Sequence, residues 1–277
     1  MTILISGCST GIGLDTAIFL KNKGFDVIAT ARSDEAILQL QDAGLKAIHL
    51  DVNYSNSIES AVAQAATMTD EGIDVLINNA GFGQAGALED LSRSALREQF
   101  ETNVFGLFEL TNTILPYMIE QKKGRIINIS SILGIVSLPF RGAYNASKYA
   151  VEALSDTLRL ELSNTPIKVS LIEPGPIESK FRQTCVDKAL EAVDIDNSRF
   201  TKSYRKMIKA QENAKPLPFS KHGDAVATKI LKAINAKNPK PRYKVTLPSH
   251  LLSALKRTLS SSQLDKILKI VSYGELS

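Results

Sequence analysis

Through about residue 175, short apolar runs alternate with longer stretches in which apolar residues recur every three or four positions. Runs 2–6, 26–31, 47–51, 74–78, 125–130 and 167–173 read as strands, rich in β-branched residues. Between them, Leu14, Ala17 and Ile18, or Ile58, Ala61, Val62 and Ala65, mark amphipathic helices. Ile3, Leu4 and Ile5, like Val75, Leu76 and Ile77, leave no polar alternate, so these strands are buried on both faces. The pattern predicts an α/β fold: a doubly wound (Rossmann) parallel sheet with helices on both faces. Beyond Gly175 the rhythm changes. A polar, helical-looking stretch spans about 177–213, a helix 225–236, a seventh strand 242–246, and two short helices end the chain. No linker divides the alternation, so residues 1–247 read as one domain, with 177–220 as a lobe and 248–277 as a helical extension.

Composition narrows the classes. The chain has 277 residues, 44% hydrophobic and 22% charged, an ordinary globular balance that excludes disorder as the main state. Two cysteines, Cys8 and Cys185, cannot build a disulfide framework or a cysteine metal site, and three scattered histidines add no metal centre. We expect a reduced, cytoplasmic protein without a secretory signal. The longest uncharged stretch, 126–140, is interrupted by Asn128, Gly134 and Pro139 and falls short of the ~20 apolar residues of a spanning helix. The net charge of +4 hides an asymmetry. Residues 1–198 carry 16 Lys+Arg against 25 Asp+Glu, whereas residues 199–277 carry 17 against 4.

Candidate chemistry begins where the first strand ends. Gly7, Cys8, Ser9, Thr10, Gly11, Ile12 and Gly13 join that strand to a helix N-terminus. Such a turn suits a dinucleotide pyrophosphate, because backbone amides and the helix dipole face the anion and only glycine lets the backbone come close. A plain tight β–α turn is the simpler alternative. Cys8 has no histidine placed to activate it and reads as a small loop residue. Tyr144 and Lys148 stand four apart on one helix face, so an ammonium near the phenol is expected to lower its pKa.

The glycine spacing G-x-x-x-G-x-G, Asn78-Asn79-Ala80-Gly81 after the fourth strand, Ser131 thirteen residues before Tyr144, Tyr144-x-x-x-Lys148, and Pro174-Gly175 after the sixth strand together resemble the short-chain dehydrogenase/reductase family. The resemblance covers residues 2–246. Ala29 to Arg32, Leu138 to Phe140, and Ile172-Glu173-Pro174-Gly175-Pro176-Ile177 are further similar to the branch containing 17β-hydroxysteroid dehydrogenase type one, retinol dehydrogenases and bacterial NADP-dependent aldehyde reductases. The resemblance implies Tyr144 as general acid/base, Lys148 as its partner and ribose ligand, Ser131 as donor to the substrate oxygen, and Asn103 as holder of a water leading to Lys148. It also implies Asp51 and Val52 at the adenine, Asn79, Ala80 and Gly81 near the cofactor, Pro174, Gly175 and Ile177 along it, and Ser179, where threonine is common, at the nicotinamide carboxamide. Asn78 and Asn79 read as structural, and Ser130 as facing away from Tyr144.

NAD enzymes place an acidic residue at the end of the second strand, but here Ala31 and Arg32 stand there, which suits the 2′-phosphate of NADP(H). Asp34 reads as a helix N-terminal residue. Phe82, Leu138, Pro139, Phe140 and Phe181 predict a lipophilic carbonyl or alcohol as substrate. A nucleotide-sugar epimerase or dehydratase shares Tyr-x-x-x-Lys but calls for G-x-x-G-x-x-G, and a non-enzymatic NADPH sensor or scaffold would typically lose a catalytic residue. A homo-oligomer is expected by resemblance. Leu251, Leu252, Leu255 and Leu259 form one apolar stripe and Leu264, Ile267, Leu268 and Val271 another, with Ser262 and Asp265 at capping-box spacing. The stripes read first as a cover over the lobe and second as a peripheral contact with an anionic membrane. No nucleic-acid motif appears.

Overall fold

Strands β1 (Thr2–Ile5), β2 (Asp26–Ala31), β3 (Lys46–His49), β4 (Val75–Asn78), β5 (Arg125–Ile129), β6 (Lys168–Glu173) and β7 (Arg242–Lys244) lie parallel in the order β3-β2-β1-β4-β5-β6-β7. They belong to a computed structural model that describes residues 1–212 and 218–276. Side-chain alternation sorts the apolar residues to two faces. Ile3, Ile5, Val75, Ile77 and Ile127 pack beneath α1 (Gly11–Asn22), α2 (Asp34–Asp42) and α9 (Gly223–Asn235). Leu4, Ile28, Leu76 and Ile126 face the other way, onto α3 (Ser55–Thr67), α5 (Leu107–Glu120) and α6 (Gly142–Glu161). Both faces are dry, which is why the strands lack a polar alternate.

Strand order reverses at β1, which is flanked by β2 and β4, so the carboxyl ends of these strands open a crevice at the switch point. Helix α4 (Arg93–Phe100) runs into a π-helical turn, Glu101–Gly106, ahead of α5. At the end of this turn a Cβ on Gly106 would stand 2.2 Å from the Val52 carbonyl oxygen, a long-range backbone approach open only to glycine.

The helical-looking stretch of about 177–213, whose last residue lies outside the described ones, holds two helices, α7 (Phe181–Ala192) and α8 (Thr201–Glu212). Ser198 and Tyr204 both donate hydrogen bonds to Asp90 Oδ2, at 2.7 and 2.8 Å, and tie the intervening loop to the body. Helices α10 (Leu247–Thr258) and α11 (Ser261–Leu276) fold back. Leu252, Leu264 and Leu268 join Ile132, Leu133, Val136 and Tyr144 in one apolar cluster, and α11 packs on α8. The cap of α11 is not the expected Ser262 and Asp265. Ser260 accepts from the Gln263 amide while its own amide donates to the Gln263 side chain, two residues earlier.

Candidate active site

The turn after β1 is held by three glycines and an asparagine. Gly7 and Gly11 adopt φ of 72° and 59°, and a Cβ on Gly13 would stand 2.2 Å from the Gly7 carbonyl oxygen. Asn79 Nδ2 donates to the carbonyls of Ser6 (3.0 Å) and Gly7 (2.8 Å), while the amides of Asn79 and Ala80 donate to Ser6 Oγ. This two-way clasp fixes the turn against the end of β4. Thr10 caps α1 with extended backbone but no side-chain bond to the first turn, which leaves those amides for an anion. Ile12 packs onto the core beneath. Cys8 is buried, its thiol donates to the Ile5 carbonyl, and burial pushes its pKa up to about 12, so it is no nucleophile.

Beside this turn, Ser9, Arg32, Ser33 and Asp51 line an open pocket of about 330 Å³. Asp51 is oriented by its own loop: its carboxylate accepts from the Asn53 amide and its amide donates to Ser57 Oγ. Ser33 caps α2 by accepting from the Ala36 amide, and Asp34 opens that helix as expected. Val52 is buried against the π-helical turn. Across the crevice, a Cβ on Gly11 would meet Ser179 Cβ at 3.3 Å, so the 175–179 segment closes over the glycine turn. Gly175 is pressed between Thr246 and Ser249, Pro174 accepts from the Ile132 amide, and Ile177 bridges to Lys221. The glycine cradle, the free helix terminus and the Arg32-lined pocket suit a dinucleotide phosphate.

Tyr144, Ser131 and Lys148 meet at the end of β5. Tyr144 sits in the first turn of α6, its ring centre 5.3 Å from that of Phe181, and it shares a hydrogen bond with Ser131. Ser131 also accepts from the Leu133 amide, which fixes its rotamer. Lys148, one turn along α6 and 5% exposed, donates to the Ile129 carbonyl at 2.7 Å and lies 5.7 Å from the Tyr144 ring centre. Burial draws its pKa down to about 8 against the opposing charge of Glu152. The expectation that Lys148 lowers the phenol pKa is overturned for the chain by itself. Burial pushes Tyr144 above its ordinary range, because desolvation outweighs the Ser131 bond, while the Lys148 ammonium stands 5.7 Å from the ring centre. The phenol is therefore held protonated.

Asn103, fully buried in the π-helical turn, accepts from the Phe82 amide and donates to the Phe82 carbonyl and to Ser147 Oγ. Its carboxamide lies against Gly81, so its bonds position the loop after β4. Ser130 is buried against Glu152, away from Tyr144. Asn78 donates to Thr111 and Asn128, and Asn128 to Ser155, a polar thread through the sheet that only Asn128, in an otherwise apolar strand, could have betrayed. Of the residues expected at the substrate, Phe181 touches Tyr144. Leu138 joins the Ile132 cluster, and Phe140 stacks on Phe200 and Tyr204 at 5.2 and 5.4 Å inside the lobe. Phe140 is therefore lobe packing.

Known proteins are similar to this chain in sequence and fold. The chain is 40% identical over 272 residues to the oxidoreductase YbbO of Escherichia coli K12, covering 97% of this chain and 94% of that one. It is 34% identical over 270 residues to 3-ketodihydrosphingosine reductase of Bacteroides thetaiotaomicron, covering 97% and 96%. Its fold matches the closed form of serine dehydrogenase complexed with NADP+ (TM-score 0.76, 25% identity, 89% and 94% covered). It also matches a short-chain dehydrogenase/reductase from Burkholderia phymatum in complex with NAD (TM-score 0.74, 25% identity, 92% and 91% covered). Residues 1–189 match the family model described as short chain dehydrogenase. With a parallel sheet open at its switch point, a glycine turn clasped there and a Ser-Tyr-Lys group beside it, the chain belongs to the short-chain dehydrogenase family of oxidoreductases.

Proposed function

We propose that the chain is an NADPH-dependent carbonyl reductase that also oxidises the corresponding alcohol, with a lipophilic aldehyde or ketone as substrate. The observation that carries this reading is the buried Tyr144 phenol bonded to Ser131 with Lys148 beneath its ring, its pKa held high by burial. A protonated phenol is the form that gives a proton to a carbonyl oxygen. Ser131, fixed by the Leu133 amide, donates to that oxygen as negative charge builds on it. Lys148 supplies positive charge and a ribose contact, and Asn103 sets the loop at Gly81 beside which the substrate enters. When bound, the nicotinamide supplies the hydride. The glycine turn, Ala80, Pro174, Gly175, Ile177 and Ser179 hold the cofactor, with Asp51 and Val52 at its adenine.

Arg32 at the rim of the Ser9–Asp51 pocket, with Ala31 where NAD enzymes carry an acid, favours the 2′-phosphate. Apolar Phe181 against the Tyr144 ring and Leu138 in the same cluster favour a lipophilic substrate, in keeping with the name of the Bacteroides relative, 3-ketodihydrosphingosine reductase. This reading favours the branch containing 17β-hydroxysteroid dehydrogenase type one, retinol dehydrogenases and bacterial NADP-dependent aldehyde reductases. A scaffold reading is disfavoured because Ser131, Tyr144 and Lys148 are all kept. The 177–220 lobe frames the substrate, and the 248–277 extension covers it. Exposed Tyr117 and Ile119 on α5 with Tyr149, Leu154 and Leu160 on α6 favour a homo-oligomer built on those helices, and two free cysteines fit a reducing cytoplasm.

The test is NADPH consumption over aldehydes, ketones and steroids of graded chain length, run beside Arg32→Ala. Long-chain carbonyls should be turned over more efficiently than small hydrophilic ones. Loss of Arg32 should weaken NADPH by about 1.5–3 kcal/mol and leave NADH unchanged. Equal wild-type use of the two cofactors, or preference for small hydrophilic carbonyls, overturns the reading.

A further inference from the structure

Behind the catalytic lysine, α6 continues as a column of ionisable residues four apart: Tyr144, Lys148, Glu152 and Asp156. Glu152 is 7% exposed, and Glu173, at the end of β6, is fully buried. One guanidinium serves the carboxylates. Arg242 on β7 donates to Glu152 Oε2 through Nε at 3.0 Å, lies 3.1 Å from Glu173 Oε1 through the same Nε, and grips both oxygens of Asp156 at 3.1 and 2.7 Å. Asp156 takes the bidentate face, so Glu152 and Glu173 compete for what remains. Glu152 Oε1 and both Glu173 oxygens accept no hydrogen bond, and Glu152 is packed against the Ser131-bearing turn, where a Cβ on Gly134 would strike its Cγ at 3.0 Å.

Two buried carboxylates beside one guanidinium each make it harder for the other to ionise, so the pair holds a proton more tightly than free carboxylates do. Glu173 is the holder: burial and the Glu152 charge lift its pKa to about 7, against Arg242, Lys244 and Arg257. Glu152 is also raised by burial, with Asp156 adding to the rise, while Ser130 and Arg242 lower it and favour its anion. That anion is the charge acting on Lys148.

The geometry points to Glu152, buried one turn along α6 from Lys148 and oriented by Arg242, as a positioning residue that keeps the Lys148 ammonium charged. Lys148 donates to the Ile129 carbonyl beside the Tyr144 ring, and Glu152, one turn along α6, is the carboxylate whose charge opposes its burial. The assignment rests on Lys148 acting as proposed above, but the charge of Lys148 is measurable without cofactor or substrate.

The experiment titrates Lys148 in the cofactor-free chain by 13C NMR of ε-labelled lysine, the resonance assigned by its loss in Lys148→Met. Glu152→Gln should lower the Lys148 midpoint by about one pH unit, the scale of one carboxylate removed at a partly screened contact. Glu152→Asp, which keeps the charge but withdraws it by a methylene, should fall between and remains informative if the glutamine variant does not fold. Glu173→Gln should leave the midpoint within about 0.3 units. The alkaline limb of the kcat/KM profile for NADPH-dependent reduction should move with the NMR midpoint in each variant. An unchanged midpoint in both Glu152 variants, or an equal fall in Glu173→Gln, overturns the assignment. A shifted midpoint in a chain that reduces no carbonyl overturns the proposed function and leaves the assignment standing.

Discussion

Tyr144 shows how burial and chemistry are joined in one side chain. Its ring is packed by Phe181 and by the cluster that includes Leu252 and Leu264, and the same packing holds its hydroxyl protonated beside Ser131. Removing only that oxygen keeps the packing, so Tyr144→Phe should fold and bind NADPH with near wild-type affinity while kcat falls by ~10³-fold or more. Full turnover in that variant, followed by NADPH absorbance, would sink the mechanism. Glu173 carries a second prediction. Its pKa in the folded chain, about 7, lies above the unfolded value of about 4.3. The folded state therefore binds a proton that the unfolded state releases between those values. The stability this contributes is full below about pH 4.3 and is lost as pH rises through 7, a change on the order of 3 kcal/mol. Glu173→Gln has no such proton. Its unfolding free energy relative to wild type should therefore rise from pH 4.5 to 7.5 by that amount, measured by urea unfolding, and a constant difference would show that Glu173 ionises freely.

Among the elements, the clasp between the glycine turn and the end of β4 is the joint on which the crevice depends. Asn79→Ala leaves the Ser6 and Gly7 carbonyls without their donor, and should cost about 2 kcal/mol in urea unfolding with an unchanged slope, together with a loss of NADPH affinity. Intact affinity would mean that the turn holds its shape unaided. The turn itself was readable in the sequence because glycine spacing at a strand end has few uses. The strands were readable because continuous apolar runs buried on two faces cannot alternate. The break between α7 and α8 was not, since Ser198 and Tyr204 are anchored to Asp90, more than a hundred residues away. The π-helical turn escaped for the same reason, its end lying against the Val52 carbonyl at Gly106. At the cap of α11 two serine frames were available, and the choice fell to Gln263, whose carboxamide reaches the Ser260 amide. The Ser131, Tyr144 and Lys148 group was legible through its spacing. The carboxylates behind it were not, because Glu152 looks like any polar helix residue until β7 brings Arg242 to it.

For the molecule as a whole, an acidic body closes with a basic end, and the C-terminal helices divide their apolar residues between two environments. Leu252, Leu264 and Leu268 are buried on the Ser131 turn, which makes the helices part of the wall around Tyr144. Leu247 and Leu251 on α10 and Ile270 and Val271 on α11 remain more than half exposed, beside Lys266 and Lys269. None of the described helices is long and apolar enough to cross a membrane. The outward residues instead offer a shallow apolar contact with basic charge around it, the combination that binds an anionic bilayer surface. Removing the helices would strip the wall from Tyr144, so truncation cannot separate the two roles; outward point substitutions can. The intact chain should cosediment with phosphatidylserine-containing vesicles at low salt and far less with neutral ones. Leu251→Glu with Ile270→Glu should abolish that binding while leaving NADPH-dependent turnover of a soluble carbonyl unchanged, because neither side chain reaches the cluster at Tyr144. Absence of vesicle binding by the intact chain, or equal binding by the double variant, would leave the helices a cover over the active site and nothing more.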